Sequence, residues 1–443
     1  MIHITAPTEA LRHEIYEYLR LLFPTYEYDR TMEATLKDGV LFVTSDGFST
    51  ALPLASAENN DVKRAIYDAY VNCGFKSPPW GILRGIRPTK LALQLYTENP
   101  DTAYDRFRSL YRVSDAKAQL TFDILKRQLP IIDTYRGTVS LYVHIPFCPS
   151  RCTYCSFHTL SLNEAHMDTY VATLIQDMDR VLPTLKNKVG TIYIGGGTPT
   201  AIGQDRLEQI LMKLDCLAPH EYTVEAGRED TLDDGMFQML RAHGVNRISI
   251  NPQSFHEPTL RAINRRGTVA DVLACYYSAR QYFDCINMDL IVGLEHEDEN
   301  TVLASLQSAI DLQPENITVH ALAQKNGTAY LASHLGEQYS WNFSETINDR
   351  LVNAGYEPYY LYRQKRSLGG TENIGYCKKG TICDYNVIMI EEVTDIIGLG
   401  MSATSKLYEG ERFKQIVNFR NFETYLNRHS ETTEKIIQRM RCL

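Results

Sequence analysis

The sequence lacks three features that would assign it to a broad class of protein. It has no excess of basic residues: 45 Lys and Arg stand against 54 Asp and Glu, a formal net charge of −9. Because phosphate binding needs a basic face, this balance argues against nucleic acid as the main partner. No apolar run approaches the roughly 18 residues of a membrane span. The segment Met1–Pro7 has no basic region followed by an apolar stretch, so we expect no signal peptide.

The composition is that of a globular protein with a full core, with 44% hydrophobic and 22% charged residues. Ten cysteines in a chain without a recognisable signal peptide indicate free thiols or metal ligands in a reducing compartment. We therefore expect a cytoplasmic protein. Seven of the cysteines show no ligand-like spacing, and the other three stand close together.

Those three lie in the stretch Cys148-Pro-Ser-Arg-Cys152-Thr-Tyr-Cys155. The spacing lets one short loop wrap three thiolates around a single centre, and it leaves one corner of a four-iron cluster without a protein ligand. An iron with an open site can bind a small molecule and pass it an electron. Zinc is the alternative, because His158 would complete a Cys3His set.

From Val139 onward, apolar strand patterns alternate with helical patterns. This succession predicts an α/β fold with six βα units and a parallel sheet, open or closed into a partial barrel. The predicted strands are Ser140–Ile145, Thr191–Ile194, Tyr222–Ala226, Arg247–Ile250, Ile286–Val292 and Asn316–Ala321. The predicted helices include Glu164–Leu182, Asp205–Leu214, Leu232–His243, Val269–Phe283 and Glu299–Leu312.

The first 137 residues show a different pattern of predicted helices and strands. A helix capped by Thr8 is predicted over residues 8–22, and Asp38-Gly39 predicts a hairpin between Met32–Lys37 and Val40–Ser45. We expect a small α+β domain over residues 1–75, a helical connector over 76–137, a barrel over 138–325 and a C-terminal region over 326–443 that covers the substrate.

Chemistry in such barrels gathers in the loops after the strands, and unusual residues occur there. The cysteines follow the first strand, Gly195-Gly196-Gly197 follows the second, and Glu225, Asn251–Ser254 and Asp289 mark the next three. A charge amid apolar neighbours needs a partner or a ligand. A salt bridge or a turn explains any one of these residues, but five at one face favour a ligand site.

The block from Tyr142 to Cys155 resembles the opening of radical S-adenosylmethionine (radical SAM) enzymes, and within that superfamily the oxygen-independent coproporphyrinogen III oxidase group. The resemblance runs from about Thr138 to Lys406. It implies a partial (β/α)6 barrel, with a small N-terminal α+β domain and a C-terminal extension added here. It also implies that Cys148, Cys152 and Cys155 hold a 4Fe-4S cluster, whose open iron binds SAM.

The same resemblance implies the residues that hold SAM. Gln253 and Asp289 match positions that bind the ribose, and Arg265 matches the arginine that binds the SAM carboxylate. Ala321 falls where a second SAM would lie, so the cofactor is one or two molecules of SAM. The full set is Tyr142, Tyr154, Gly196, Gly197, Thr198, Glu225, Gln253, Arg265, Asp289 and Ala321.

Four stretches resemble the HemZ-type branch of this group: Trp80–Leu91, Glu225–Arg228, Tyr359–Lys365 and Ile397–Ala403. The implied reaction is the oxidative decarboxylation of two propionates of coproporphyrinogen III to vinyl groups, giving protoporphyrinogen IX. It implies a porphyrinogen or related tetrapyrrole as substrate and an electron donor such as flavodoxin or ferredoxin.

Phe157 departs from the group, whose best-established decarboxylases have a fourth cysteine at this position. His158 is the nearest titratable group that could replace it, and we predict it as the catalytic residue. Heme chaperones of the superfamily also lack that cysteine, but they carry a His-Asn-x-x-Tyr-Trp motif that Asp384–Met389 does not have. A heme chaperone, or an enzyme acting on another substrate such as RNA, are the alternatives.

Two basic stretches could hold anions. Trp80–Leu91 has three cations and an aromatic residue, and it fits either a solvated helix start or an anion site. Arg363, Lys365 and Arg366 follow Tyr359, Tyr360 and Tyr362 and could hold propionates, or they could form a solvated strand end.

Overall fold

The computed structural model describes residues 2–22, 32–45, 48–54, 56, 58–84, 87–185, 188–323, 343–364, 367, 372–409 and 412–441. Its helices are α1 (Glu9–Leu22), α2 (Asn59–Asn72), α3 (Pro88–Glu98), α4 (Ala103–Tyr111), α5 (Asp115–Tyr135), α6 (Glu164–Leu185), α7 (Gln204–Leu214), α8 (Asp234–Ala242), α9 (Glu257–Ala262), α10 (Val269–Ala279), α11 (Glu299–Leu312), α12 (Phe343–Asn353), α13 (Asp384–Glu391) and α14 (Phe422–Arg441).

The strands are β1 (Ile2–Thr5), β2 (Met32–Lys37), β3 (Val40–Ser45), β4 (Phe48–Pro53), β5 (Val139–Ile145), β6 (Phe147–Cys148), β7 (Leu160–Ser161), β8 (Val189–Gly196), β9 (Glu221–Val224), β10 (Arg247–Ser249), β11 (Ile286–Val292), β12 (Asn316–Ala321), β13 (Glu357–Tyr362), β14 (Asn373–Cys377), β15 (Asp395–Leu399), β16 (Thr404–Glu409) and β17 (Arg412–Val417).

The chain divides into two compact units. The N-terminal unit comprises Met1–Leu125 with Tyr362–Lys365, and the barrel unit comprises Lys126–Leu361 with Arg366–Leu443. The finer division at residues 75, 137 and 325 stays a prediction.

The N-terminal unit contains a sheet in the order β1-β2-β3-β4. The hairpin of β2 and β3 has the bounds that the sequence predicts, and the amide of Leu11 bonds to the Thr8 hydroxyl, so both local predictions are confirmed. The apolar faces of α1 and α2 pack with this sheet around Ile15, Tyr18, Leu41 and Ile66.

Arg84, the first cation of the basic stretch after Trp80, lies in neither predicted environment. Its side chain is 9% exposed and donates to the Glu17 carboxylate at 2.7 Å, so it forms an ion pair with an acidic residue of α1. Arg363 donates to the Leu83 carbonyl at 2.5 Å and lies 5.2 Å from the centre of the Trp80 ring. Arg363 is therefore bound within the N-terminal unit, and not at a solvated strand end. Lys365 and Arg366 lie outside the described residues.

All six predicted strands of the barrel unit are present. Strands β5 and β8–β12 are neighbours in one sheet, and each adjacent pair is parallel. Their central apolar side chains, such as Leu141, Ile192, Ile248 and Ile317, are fully buried. This is the partial (β/α)6 barrel that the sequence predicts.

The sequence analysis missed five strands that extend this sheet to eleven. Strand β14 pairs antiparallel with β12, and β13 lies beyond it. At the opposite edge β15 pairs parallel with β5, and β16 and β17 follow. Both edges of the six-stranded core are thus covered by the C-terminal part of the chain.

Polar side chains line the inner face of the six-stranded core, because alternate residues of a strand point to the same side. Thr191 donates to Ser140 at 2.8 Å, and Thr318 donates to Asn287 at 3.2 Å. Arg247 binds the side-chain oxygen of Asn316. The interior is therefore hydrogen-bonded, and it lacks the branched apolar layers usual in a closed barrel.

Helix α13 crosses the N-terminal end of the core strands and carries an aromatic ring inward. Its first amides, those of Asp384 and Tyr385, donate to the Glu221 carboxylate at 2.8 and 2.9 Å. A carboxylate is favoured there because the first amides of a helix have no partner within it. Arg247 lies 3.3 Å from the same carboxylate, so a buried ion pair fixes the start of α13.

Helix α14 is held on α6 by the buried carboxylate of Asp177, which is 1% exposed. This carboxylate accepts hydrogen bonds from Tyr425 at 2.8 Å and Thr433 at 2.5 Å, and it lies 2.6 Å from Nδ1 of His429. The adjacent Tyr170 of α6 donates to the His144 carbonyl at 2.5 Å, at the end of β5. None of the described helices is long and apolar enough to cross a membrane.

We predict that Asp177→Ala lowers the free energy of unfolding by about 2–4 kcal/mol, because it leaves buried donors of α14 without an acceptor. Urea denaturation measures the change. Asp179→Ala is the control, since Asp179 is half exposed and pairs with Lys213 on the surface. An Asp177 variant as stable as this control would show that α14 is held by its apolar contacts alone.

Candidate active site

The three cysteines lie on the loop that follows β5, at the C-terminal end of the parallel strands. Cys148 ends the short strand β6, which pairs with β7 and so closes the loop at its base. Within the described part of the chain, no three potential ligands surround one metal-sized point. The three thiols lie on one loop, and they do not converge with His158 on a single metal ion.

The neighbouring segment Ile263–Asn264 binds the backbone of this cysteine loop. The amide of Thr153 donates to the Ile263 carbonyl at 3.3 Å, and the Asn264 side chain donates to the Arg151 carbonyl at 2.9 Å. Burial raises the pKa of the Cys148 thiol to about 11, although the Thr198 hydroxyl, 3.5 Å from its Sγ, and the charge of Arg228 oppose the rise.

The glycine turn after β8 lies directly against the cysteine loop. A Cβ on Gly197 would stand 2.6 Å from the Phe147 carbonyl oxygen and 3.0 Å from Sγ of Cys148. A Cβ on Gly195 would stand 2.7 Å from a carboxylate oxygen of Glu225. Gly196 has φ +121°, which side-chain-bearing residues rarely adopt, and its amide donates to Glu225 at 3.2 Å. Only glycine therefore fits this turn.

Two predicted carboxylates, Glu225 and Asp289, act on one another inside the barrel. Burial, and then the charge of Asp289, raises the pKa of Glu225 to about 7. Burial also disfavours the charged form of Asp289, but His320, Asn287 and Thr318 together hold the pKa of Asp289 below its usual value. Asn287 donates to Asp289 at 2.7 Å, and Nε2 of His320 lies 3.7 Å from it. Asp289 therefore stays negatively charged, whereas Glu225 gains or loses its proton near neutral pH.

Three tyrosines form an aromatic wall beside these carboxylates. The rings of Tyr193 and Tyr385 are stacked with centroids 4.5 Å apart, and Tyr142 lies 6.2 and 6.4 Å from them. Tyr385, from α13, has a buried hydroxyl without a partner among the described residues. The wall gives a flat apolar surface next to charged groups.

Arg265 and Tyr154 form a second group beside the cysteine loop. The Arg265 guanidinium is buried, donates to the Gly227 carbonyl at 3.2 Å and lies 3.6 Å from Glu229. Tyr154 is hydrogen-bonded to it and packs against Leu260 and Ile263. The Nε of Arg265 is buried without an acceptor in the described structure, so the guanidinium can still bind a ligand oxygen.

Gln253 and Ala321 line cavities that adjoin α12. Gln253 has φ +65° and lines a cavity with Leu290, Val302 and Ile347. Its side-chain oxygen is buried without a donor in the described structure. Ala321 lines a neighbouring cavity with Val292, Phe343 and Ile374.

His158, the predicted catalytic residue, is exposed at the end of the cysteine loop, and the adjacent Phe157 is 64% exposed. The structure does not place His158 beside the carboxylates of Glu225 and Asp289. It lies close enough to His144 to contribute to that group's low pKa of about 4, which is caused mainly by burial.

His144, Tyr193 and His320 are site residues that the sequence did not predict. The imidazole of His144 is buried against Gly196, where a Cβ would stand 2.8 Å from its Nε2. His144 lies two residues from Tyr142, and Tyr193 is in register with Tyr142, so strand alternation could have identified both. His320 is two residues from Thr318, which is in register with Asp289.

Comparison with known proteins assigns this arrangement to a class. Residues 142–309 match the model of the radical SAM superfamily. The oxygen-independent coproporphyrinogen-III oxidase-like protein HemZ of Bacillus subtilis is 36% identical over 393 residues, which are 81% of this chain and 78% of that protein. The heme chaperone HemW of Escherichia coli is 30% identical over 279 residues, 61% of this chain and 70% of that one.

The fold agrees with this assignment. The structure of coproporphyrinogen III oxidase (HemN) from Escherichia coli, described as a radical SAM enzyme, superposes with a TM-score of 0.56 at 22% identity, over 69% of this chain and 72% of that one. The barrel and its cysteine loop are those of a radical SAM oxidoreductase. Within this superfamily the chain belongs to the family of HemZ, the oxygen-independent coproporphyrinogen-III oxidase-like proteins.

We predict that Gly197→Ala reduces the iron retained after anaerobic reconstitution, because the new methyl group displaces the cysteine loop. Such overpacking costs about 1–3 kcal/mol. Iron content per chain and the visible absorption of the reconstituted protein measure the effect. In the control, Gly244→Ala, the added Cβ meets nothing within 4 Å but bears the strain of a positive φ. Equal iron retention in the two variants would contradict the role given to the glycine turn.

Proposed function

We propose that the protein is an oxygen-independent coproporphyrinogen III oxidase, which converts two propionates of coproporphyrinogen III to vinyl groups and yields protoporphyrinogen IX. The observation that carries this proposal is the extent of the similarity to the Bacillus subtilis relative, 81% of the chain against 61% for the heme chaperone. The match therefore extends well beyond the part of the barrel that the whole superfamily shares.

The donor set of the cysteine loop fits the cluster that the superfamily implies. Cys148, Cys152 and Cys155 would supply three thiolates to a four-iron cluster. Such a cluster leaves one iron open to a small ligand. With SAM bound there, the group supplies a 5′-deoxyadenosyl radical able to remove a hydrogen atom from the substrate.

The residues around the loop suit SAM. The carboxylates of Glu225 and Asp289 suit its positive charge and its ribose hydroxyls, and Arg265 suits its carboxylate. Tyr142 and Tyr154 offer ring faces, and the turn from Gly196 to Thr198 offers backbone groups. Gln253 would bind the ribose together with Asp289, and Ala321 would lie where a second SAM molecule is held.

The overall chemistry requires partners that the chain does not contain. Each propionate loses one β-hydrogen atom, one CO2 and one electron as its vinyl group forms. The hydrogen atom ends on 5′-deoxyadenosine, and the electron passes to a one-electron acceptor. The electron that initiates the reaction comes from a donor such as flavodoxin or ferredoxin, in keeping with a reducing cytoplasm.

A second candidate function is heme carriage. The similarity to the heme chaperone and the Phe157 side chain at the fourth-cysteine position both favour it. Under the decarboxylase proposal, the proton handling ascribed to that cysteine falls to another group. His158 is adjacent to Phe157 and exposed to solvent, and its imidazole can accept or donate a proton.

We predict that the anaerobically reconstituted protein forms vinyl products from coproporphyrinogen III when supplied with SAM and a reductant. His158→Ala should lower vinyl formation but leave iron content and substrate-independent SAM cleavage unchanged, which mass spectrometry and iron analysis can separate. His166→Ala is the control, since His166 is exposed on α6. If the protein binds heme tightly and stoichiometrically but converts no coproporphyrinogen III, the decarboxylase proposal should be dropped in favour of the heme chaperone.

We predict that SAM affinity rises about tenfold between pH 6 and pH 8, as Glu225 ionises about its raised pKa of about 7. Below that pH the carboxyl is mostly neutral and attracts the cationic ligand less. Equilibrium binding of labelled SAM at several pH values measures the slope. Glu225→Gln should abolish this slope, whereas Asp289→Asn should weaken binding and retain it. A parent without pH dependence would show that Glu225 does not face the cofactor.

A further inference from the structure

The segment Cys148–Cys155 must present three thiolates in a fixed arrangement, although it has no helix and contains only the last residue of strand β6. Its polar backbone groups therefore need partners from outside the loop. Thr153 and Arg151 obtain theirs from the segment Ile263–Asn264. The part between the first two cysteines, centred on Ser150, is bound from another direction.

Arg228 binds that part. Its Nη1 lies 2.8 Å from the Ser150 hydroxyl and 3.4 Å from the Ser150 carbonyl oxygen. The Ser150 hydroxyl in turn donates to the Asn264 carbonyl at 3.1 Å. Ser150 is two residues from Cys148 and two from Cys152, so the guanidinium is attached midway between two of the three thiols.

The other edge of the same guanidinium is fixed by a carboxylate. Asp230 accepts from Nε and Nη2 of Arg228 at 2.9 and 2.7 Å, a bidentate pair. Arg228 is 4% exposed, whereas the Asp230 side chain is 24% exposed. The positive charge is therefore buried beside the cysteine loop, and the compensating negative charge lies nearer to solvent.

Thr231, three residues after Arg228, connects the Arg228 segment to the segment that follows the glycine turn. The Arg228 carbonyl accepts from the Thr231 hydroxyl at 2.8 Å, and that hydroxyl lies 2.6 Å from the hydroxyl of Thr200. Thr200 lies two residues after Thr198. The side chain of Arg228 is thus bound to the cysteine loop, and its backbone is connected to the segment that follows the glycine turn.

A buried positive charge has an effect on redox chemistry as well as on geometry. Adding an electron to a cluster held by three thiolates increases its negative charge, and a nearby cation stabilises the reduced form. Because burial reduces screening by water and salt, the effect is larger than for a surface arginine. The charge of Arg228 is close enough to act on the Cys148 thiol.

We propose that Arg228 is a positioning residue for the iron–sulfur cluster, which holds the loop between the first two cysteines and raises the cluster's reduction potential, and that Asp230 limits this rise. The proposal rests on the cluster that the superfamily implies, and it does not depend on the identity of the substrate. In the stretch Glu225–Arg228, it also gives Arg228 a role separate from that of the Glu225 carboxylate.

The test is redox titration of the reconstituted cluster in variants with opposite expected signs. Arg228→Gln removes the charge but keeps a donor for Ser150, so the potential should fall by about 59 mV, a tenfold change in the ratio of reduced to oxidised cluster. Asp230→Asn leaves the arginine uncompensated, so the potential should rise. Arg228→Lys keeps the positive charge but loses the guanidinium that binds Asp230 and Ser150 at the same time. The potential should therefore stay near the parent's, while iron retention falls.

Arg261→Gln is the control, because Arg261 is exposed on α9 and pairs with Glu257. Its potential and iron content should equal the parent's. Equal potentials in Arg228→Gln, Asp230→Asn and the parent, with normal folding and iron content, would overturn the proposal. Shifts of the same sign in both variants would also overturn it. A parent that retains its cluster but converts no porphyrinogen would refute the proposed reaction only, and the potentials would still decide the role of Arg228.

Discussion

The close approach of two strand ends is the constraint on which the site depends. Strands β5 and β8 pair in parallel, so that His144 lies opposite Gly195 and Ile145 opposite Gly196. The loop that leaves β5 carries the cysteines, and the turn that leaves β8 has to pass within van der Waals distance of it. The three glycines make this possible, since a Cβ at each would collide with the cysteine loop, with His144 or with Glu225.

The barrel interior is polar because the site lies inside the sheet, and its buried carboxylates need polar partners there. Buried carboxylates are costly unless they are paired or hydrogen-bonded. Asp289 obtains this support from Asn287 and His320, and Glu221 at the opposite end obtains it from Arg247 and the first amides of α13. Glu225 has weaker support, so its proton is the one that changes near neutral pH. Stability is provided by the outer faces of the strands, where the apolar residues are buried.

The sequence predicts the six core strands because their central side chains are apolar and turn residues bound each of them. It does not predict α13, whose Tyr385, Val387, Ile388 and Glu391 are buried on several sides and leave no amphipathic pattern. The environment of Arg84 could not be predicted either, since Glu17, its partner, is 67 residues away in sequence. The sequence does not predict that β15 pairs with the first barrel strand, because the two strands are about 250 residues apart in the chain. Charged residues at strand ends point to the C-terminal face of the barrel, whereas their individual contacts depend on neighbouring strands.

The central claim is that the carboxylates and the cysteine loop serve one radical reaction on a tetrapyrrole propionate. The most direct measurement is the transfer of deuterium from coproporphyrinogen III labelled at the propionate β-carbons to 5′-deoxyadenosine, followed by mass spectrometry. The proposal predicts one deuterium in 5′-deoxyadenosine for each vinyl group formed. Unlabelled 5′-deoxyadenosine without vinyl product, from protein that retains its cluster and binds SAM, would contradict it.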